Sequence, residues 1–186
     1  MTAEWSGFLR LLDLLAAAAR DRHARSVAYT TIYLVGAASH VIECTLTRRT
    51  EDLDILCSSE TVRATIERPA LHVDQLPLSE VITPGWELRA SFRPDLSTDE
   101  LRVWMQDVHD RLLHKLARGE KRDFEDFVEV ALTDRRFSAE TLWSRGKALQ
   151  GLGGDVRRMA LRQNMPKAFR MLAARGGRVP ALAVGE

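Results

Sequence analysis

The chain has 186 residues, which is enough for one domain with a hydrophobic core and short for two independent domains. Its 27 Lys and Arg residues nearly balance 26 Asp and Glu residues. This balance excludes a uniformly basic protein that coats nucleic acid, and it excludes a strongly acidic protein. The two cysteines, Cys44 and Cys57, lack the CxxC spacing of a zinc site, so we expect reduced thiols.

Two features of the sequence bear on location. No stretch reaches the roughly 20 apolar residues that cross a bilayer. The first residues, which include Glu4, lack the basic segment, apolar run and cleavage site of a secretion signal. We therefore expect a soluble, cytoplasmic protein with no membrane partner.

The N-terminal segment has the periodicity of an amphipathic helix. Its apolar residues recur at steps of three and four: Trp5, Phe8, Leu9, Leu12, Leu15, Ala16 and Ala19. A β-branched and aromatic run then predicts a buried strand over 30–35, which Gly36 ends. Residues 37–44 are small and helix-compatible, and residues 53–56 are apolar again. The segment 33–56 is therefore predicted to be strand, glycine turn, helix, loop and strand.

The middle of the chain predicts three further strands. Short strands at 71–73 and 86–92 flank a turn at Pro84 and Gly85. Residues 101–105 alternate between apolar and other side chains, which predicts another strand.

The last third of the chain is predicted to be helical. Asp107 takes the N-cap position of a helix that Gly119 ends. A second helix follows from Asp123, and Ser138 caps a third. From Val156 onward the chain is basic and offers a surface for phosphate groups, with Arg157, Arg158, Arg162, Lys167, Arg170, Arg175 and Arg178 against a single acid, Glu186. The predicted architecture is α+β.

The four tryptophans are scattered along the sequence: Trp5, Trp86, Trp104 and Trp143. We predict that they are core anchors rather than base-stacking platforms.

Asp52 and Asp54 are the most informative pair of residues. Residues i and i+2 of a strand project to the same face, so both carboxylates can reach one divalent cation. Magnesium prefers such hard oxygen ligands and also takes phosphate oxygens.

Gly36 lies between the first strand and the helix that follows it. A residue without a side chain there lets backbone N–H groups and the helix N-terminus approach a triphosphate closely. Paired aspartates on a surface, or a glycine in a turn, are individually common. Their combination in one strand–helix–strand unit favours a nucleotide site.

The sequence Tyr-Leu-Val-Gly-Ala-Ala-Ser at 33–39, followed by Arg-Arg-Thr-Glu-Asp-Leu-Asp-Ile at 48–55, resembles the signature of the nucleotidyltransferase superfamily. The closer similarity is to the AbiEii-like and minimal nucleotidyltransferases of bacterial toxin–antitoxin and phage-defence systems. A second block at 115–126 resembles their later motif, a helix lysine followed by a basic–Asp pair and another Asp. The resemblance implies a nucleotidyltransferase-like domain over 1–135, a mixed β-sheet flanked by helices, with a basic helical extension packed on it over 136–186.

The resemblance also implies a reaction, the transfer of a nucleoside monophosphate from an NTP to an acceptor with release of pyrophosphate. Asp52 and Asp54 would hold Mg²⁺. Lys115 and Arg122 would contact the nucleotide phosphates. The second block supplies two more carboxylates that would orient those cations or bind the nucleotide, Asp123 and Asp126. The same block is also typical of an ordinary capped helix–turn–helix.

The chain departs from the family pattern at the turn, and two further residues are candidates for the site. The superfamily usually has Gly-Gly or Gly-Ser at the turn, whereas this chain has Gly36-Ala37, and Ser39 is interpreted as structural. Active members commonly carry a third carboxylate as base or second metal ligand, for which Asp74 is the candidate. Arg49 lies close to the Asp pair and could counter phosphate charge or be a solvated loop residue.

Several functions follow from this interpretation. The first is a Mg²⁺-dependent nucleotidyltransferase, the toxin or effector of a two-gene defence pair, acting on RNA such as tRNA or on protein. A small-molecule acceptor is compatible with the same fold. The second is a catalytically silent binding module, an antitoxin or a nucleotide-sensing partner. The third is a nucleic-acid-binding protein that acts through its C-terminal helices.

Overall fold

The computed structural model describes residues 10, 12–17, 19–20, 29–46, 53–57, 73–75, 83–152 and 156–181. The chain forms two compact units. The first comprises Met1–Glu80 and Glu87–Gln106, and the second comprises Val81–Trp86 and Asp107–Glu186.

The first unit is built on a five-stranded mixed sheet in the order β3-β2-β1-β5-β4. Its strands are β1 (Thr30–Leu34), β2 (Leu53–Cys57), β3 (Val73–Gln75), β4 (Ser91–Phe92) and β5 (Leu101–Met105). β1 pairs with β5 and β2 with β3 in parallel, whereas β1–β2 and β4–β5 are antiparallel. The predicted α+β class, with a mixed sheet and flanking helices, is confirmed.

One face of this sheet forms the core of the first unit. Alternate residues of β1 and β5 are buried, as expected for strands with one face against a core. The core cluster joins sheet residues to helix α1 (Gly36–Ile42) and to the helical residues near the N-terminus, and includes Leu12, Leu15, Ala16, Ile32, Leu34, Ile42, Ile55, Leu101, Val103 and Met105. The predicted apolar face of the first helix is confirmed for its described part, while Trp5, Phe8 and Leu9 lie outside the described residues.

The prediction of a strand over 86–92 is wrong for its first half. Trp86–Arg89 is a 3₁₀ turn, and only Ser91–Phe92 is a strand. The side chain of Trp86 is buried while that of Leu88 is 92% exposed, so this segment anchors one ring and does not alternate across a sheet. The strand predicted at 71–73 is observed as Val73–Gln75, and residues 71 and 72 lie outside the described part.

The second unit contains four helices, α2 (Val108–Arg118), α3 (Lys121–Thr133), α4 (Ala139–Gly151) and α5 (Val156–Ala174). Local signals set their ends. The carboxylate of Asp107 accepts a hydrogen bond from the backbone N–H of His109 at 3.0 Å, and the hydroxyl of Ser138 accepts one from that of Thr141 at 3.2 Å. Gly119 ends α2 with a left-handed φ of 75°. These three predicted caps are confirmed.

Helix α3 begins at Lys121, two residues before the predicted start. Glu120 and Asp123 form a reciprocal capping box, in which each side chain accepts a backbone N–H of the other. Asp123 therefore lies in the first turn of the helix and not at its beginning.

Aromatic side chains hold the helices of the second unit together. The ring centroids of Phe127 and Phe169 lie 5.6 Å apart, and those of Trp143 and Phe169 lie 5.5 Å apart, both edge to face. Helix α3 thus packs with α5. The predicted division into 1–135 and 136–186 stays a prediction. None of the helices in the described part of the chain has the length and apolar composition to cross a membrane.

Candidate active site

Asp54 lies on β2 beside the end of β1. The register pairs Leu34 with Ile55, and the backbone N–H of Val35 donates to the carbonyl oxygen of Asp54 at 3.0 Å. The side chain of Asp54 is half-buried. The two strands therefore place this carboxylate at the point where the chain leaves β1 and enters α1.

Gly36 is in direct contact with the Asp54 carboxylate. Gly36 opens α1 with a φ of 64°, a conformation that residues with a side chain rarely adopt. A Cβ at this position would lie 2.5 Å from Cγ of Asp54 and 2.7 Å from its Cβ, and it would overlap one carboxylate oxygen. The space that a side chain would fill is thus taken by Asp54. The structure brings these two predicted site residues together.

We expect Gly36→Ala to destabilise the first unit and to displace Asp54. The left-handed backbone costs about 1–2 kcal/mol for a residue with a Cβ, and the overlap with the carboxylate adds to this. The measurement is the free energy of unfolding in urea for Gly36→Ala, Asp54→Ala and the double variant. Asp54→Ala removes the overlapping carboxyl group. The loss of unfolding free energy in the double variant should therefore be smaller than the sum of the two single losses, by about 0.5 kcal/mol or more. Strict additivity would contradict the contact.

The residues after Gly36 have structural roles. The side chain of Ser39 is fully buried, and its hydroxyl donates to the carbonyl oxygen of Gly36 at 2.7 Å, as the structural interpretation expected. Ala37 is buried and brings no hydroxyl to the turn. The N-cap residue Val35 gives α1 no side-chain cap, and the first turn of the helix has no acidic residue. This short helix therefore begins without a carboxylate or hydroxyl of its own at its N-terminal N–H groups.

Position 74 lies next to position 54 in the sheet. β2 and β3 run parallel, and their register pairs Asp54 with Asp74. Neighbouring strands are about 4.8 Å apart, so the backbone of the residue predicted as third carboxylate is adjacent to that of Asp54. Two other predicted site residues, Asp52 and Arg49, lie outside the described residues.

The second sequence block forms a buried charge cluster in the second unit. Nζ of Lys115 lies 2.6 Å from a carboxylate oxygen of Asp126 and 3.9 Å from one of Asp123, and all three side chains are at most 4% exposed. Arg118 holds Asp123 with two hydrogen bonds, of 2.9 and 2.6 Å. Asp126 therefore holds Lys115 in a buried ion pair, and the role of this lysine toward a nucleotide stays a prediction. Arg118 was not among the predicted site residues, whereas Arg122, which was, is exposed on α3.

The contact between Arg118 and Asp123 could not be predicted from their spacing in the sequence. The two residues flank the turn between α2 and α3, so no helical i,i+4 pattern links them. The available signal was the turn itself, where Gly119 ends one helix and an acid three residues after Glu120 caps the next. The contacts of the second block are also those of the capped helix–turn–helix that the sequence left open.

The chemistry of the site suits a hard cation. In the part of the chain that the structure describes, no group of three or more His, Cys, Asp or Glu side chains is arranged to hold a metal ion. Asp54 alone supplies two oxygen donors of the type that Mg²⁺ prefers. Binding of Mg²⁺ at this end of β2 stays a prediction.

Comparison with known proteins gives one family and one solved structure. Residues 10–146 match the family described as "Nucleotidyltransferase of unknown function (DUF6036)". The chain is similar to a crystal structure from H. pylori named a "putative nucleotidyltransferase", with 13% identity, a TM-score of 0.34, and coverage of 88% of this chain and 95% of that one. No curated protein matches the chain. The family match spans well over half of the 186 residues and includes both sequence blocks, so the chain belongs to this family of nucleotidyltransferases.

Proposed function

We propose that the protein transfers a nucleoside monophosphate from an NTP to an acceptor in a Mg²⁺-dependent reaction. The observation that carries the proposal is the Asp54 carboxylate packed on Gly36, where β1 passes into α1. Membership of a nucleotidyltransferase family supports the reaction class. The resemblance of the first block to the superfamily signature identifies the same two residues.

Three carboxylates are proposed for the reaction centre. Asp52 and Asp54 would hold Mg²⁺, and Asp74 is the third carboxylate, supported by its register with Asp54. When bound, the cation neutralises phosphate charge and favours in-line displacement. The strand pairing of β2 and the contact of Asp54 with Gly36 support that role, because both restrict where this carboxylate can lie.

The proposed transfer is a single displacement at the α-phosphorus. An acceptor oxygen bonds to the α-phosphorus as the bond from that phosphorus to the bridging oxygen of the β-phosphate breaks. Pyrophosphate leaves with the bonding electrons, and the acceptor proton passes to a base, for which we propose Asp74. The start of α1, where Gly36 and Ala37 bring no polar side chain, is proposed to receive the phosphates through its backbone N–H groups.

We propose that three basic side chains bind the phosphate oxygens that the metal ion does not neutralise. Arg122 is exposed on α3, and Lys115 is held by Asp126 in the same unit. Arg49, close in sequence to the Asp pair, is the third candidate. We propose that Asp126 acts on the nucleotide through Lys115, and that Asp123 acts through the buried cluster that it forms with Lys115 and Arg118.

RNA, such as tRNA, is the acceptor that we favour over protein. Helix α5 contains no acidic residue, and four of its basic side chains are exposed: Arg157, Arg162, Lys167 and Arg170. Clustered cations of this kind bind phosphate backbones without regard to sequence. Modification of an RNA would suit a toxin or effector of a bacterial toxin–antitoxin or defence pair, which is the role we propose.

The test is the transfer of label from each of the four α-³²P-labelled NTPs to total RNA and to protein. We expect label on RNA in the presence of Mg²⁺ and none when EDTA is added. Label on protein alone would show that the acceptor is protein and not RNA, and it would still support the proposed transfer reaction. Absence of label on every acceptor would contradict the proposed activity.

A silent binding module is the second candidate function. Two observations favour it. Lys115 is buried in an ion pair with Asp126 and so already has a charged partner, and Ala37 brings no hydroxyl group to the turn. A silent module would bind an NTP without transferring any part of it. Calorimetric binding of NTP by a protein that labels no acceptor would identify this function.

A further inference from the structure

The second face of the sheet, opposite the core of the first unit, has a row of aromatic side chains. Tyr33 on β1 pairs with Trp104 on β5, which pairs in turn with Phe92 on β4. On the other side, Tyr33 pairs with Leu56 on β2. Cross-strand partners lie on the same face of a sheet, so one row of side chains crosses four strands.

The three rings are in contact and reach the solvent. The centroids of Phe92 and Trp104 lie 5.4 Å apart, and those of Tyr33 and Trp104 lie 6.4 Å apart. Phe92 is 43% exposed, and Tyr33 and Trp104 are half-buried. The prediction that tryptophans are core anchors is confirmed for Trp86 and Trp143, which are buried, whereas Trp104 is only half-buried and Trp5 lies outside the described residues.

Asp54 lies on the same face as this aromatic row. It is two residues from Leu56 on β2, and residues i and i+2 of a strand share a face. With a rise of 3.3 Å per residue and strands 4.8 Å apart, the backbones of Asp54 and Trp104 are about 12 Å apart across the sheet. This separation is comparable to the reach of a nucleotide from its phosphate chain to its base.

A cation and a carboxylate lie near the row. The guanidinium of Arg102 lies 3.4 Å from the ring centroid of Tyr29 on the same side of β5, and both side chains are exposed. Burial and the carboxylate of Glu87 raise the pKa of Tyr33, and a tyrosine hydroxyl is protonated at neutral pH even without such a shift. The row therefore offers neutral ring surface near a cation.

We propose that Trp104, together with Tyr33 and Phe92, stacks on the base of the NTP whose phosphates lie at Asp54. The inference rests on the proposed function and adds the binding site for the base. Stacking on aromatic rings depends little on which base is present, because every base has a π-face. The site therefore predicts similar affinity for the four NTPs.

The test compares Trp104→Leu, which removes the ring, with Trp104→Phe, which keeps one. Binding is measured by calorimetry with Mg²⁺ and two probes, the α,β-methylene analogue of ATP, which cannot transfer its nucleoside monophosphate, and inorganic tripolyphosphate, which has no base. We expect Trp104→Leu to weaken binding of the analogue about tenfold and Trp104→Phe to weaken it less than threefold. Binding of tripolyphosphate should be unchanged in both variants.

Each other outcome overturns the inference in a distinguishable way. Analogue binding that is unchanged in Trp104→Leu, but lost in Asp54→Ala, would reject the base site and leave the proposed function intact. Equal weakening of both probes would show that Trp104 supports the sheet and binds no base. If the wild-type protein bound neither probe, the proposed function and the base site would both be rejected.

Discussion

Asp54→Asn is expected to lower the rate of nucleoside monophosphate transfer about a thousandfold while leaving the protein folded. The substitution keeps the volume that packs on Gly36 but removes the negative charge. Stabilisation of phosphate charge by a bound cation is worth several kcal/mol, and each 1.36 kcal/mol changes a rate tenfold. The measurement is the initial rate of label transfer at saturating NTP, with the thermal midpoint as the check on folding.

Asp99→Asn is the matched control for that prediction. Asp99 is an exposed aspartate of the same unit, and it lies between β4 and β5. Its neutralisation should change the rate less than twofold, because exposed charges are screened by solvent and salt. Similar rates for Asp54→Asn and Asp99→Asn would remove Asp54 from the reaction centre.

Lys115→Met is expected to lower the free energy of unfolding by about 3–5 kcal/mol. The lysine side chain is 4% exposed and those of Asp126 and Asp123 are 2% and 1% exposed, so its removal takes away an ammonium charge that faces two buried carboxylates. Arg118 still holds Asp123, whereas Asp126 loses the ammonium group at 2.6 Å. Unfolding in urea, followed by circular dichroism, measures the change.

Two further variants separate the structural and chemical roles of Lys115. Lys121→Met removes a 93% exposed lysine whose ion pair with Glu125 is 3.9 Å long, and it should change stability by less than about 0.5 kcal/mol. Lys115→Met combined with Asp126→Leu replaces the buried pair with apolar groups and should recover most of the lost stability. If that stable double variant transfers nucleotide at the wild-type rate, Lys115 is structural only. A loss below about 1 kcal/mol in Lys115→Met alone would contradict the buried ion pair.

Local signals explain why much of the fold could be predicted from the sequence. The β-branched run before Gly36 and the apolar run after Asp52 identified β1 and β2. The caps at Asp107 and Ser138 depend on a side chain and a backbone N–H only two or three residues apart. Such features need no knowledge of the tertiary structure.

Other features depend on how distant segments pack and could not be predicted. The sequence suggested that Gly36 leaves room for a phosphate, whereas the structure shows that its missing side chain first makes room for Asp54. That contact depends on the antiparallel register of β1 and β2. The neighbouring position of Asp74 depends likewise on the pairing of β2 with β3, and hydrophobic periodicity does not specify which strands are neighbours.

Trp104 shows the same limit at the level of one side chain. In the sequence Trp104 alternates with the apolar residues of β5. This pattern is typical of any strand with one face in the core and does not show which residues lie beside Trp104. Only the order of strands shows that Tyr33 and Phe92 lie on either side of it. The aromatic row is therefore a property of the folded sheet.

The most direct test of nucleotidyl transfer compares the fate of two labels in the wild-type protein. NTP labelled at the α-phosphate or at the γ-phosphate is incubated with Mg²⁺ and RNA, and the label on the acceptor and in pyrophosphate is measured. We predict that the α-label appears on the acceptor and the γ-label appears in pyrophosphate, in equal amounts. Transfer of the γ-label to the acceptor, or transfer of neither label, would contradict the proposed reaction.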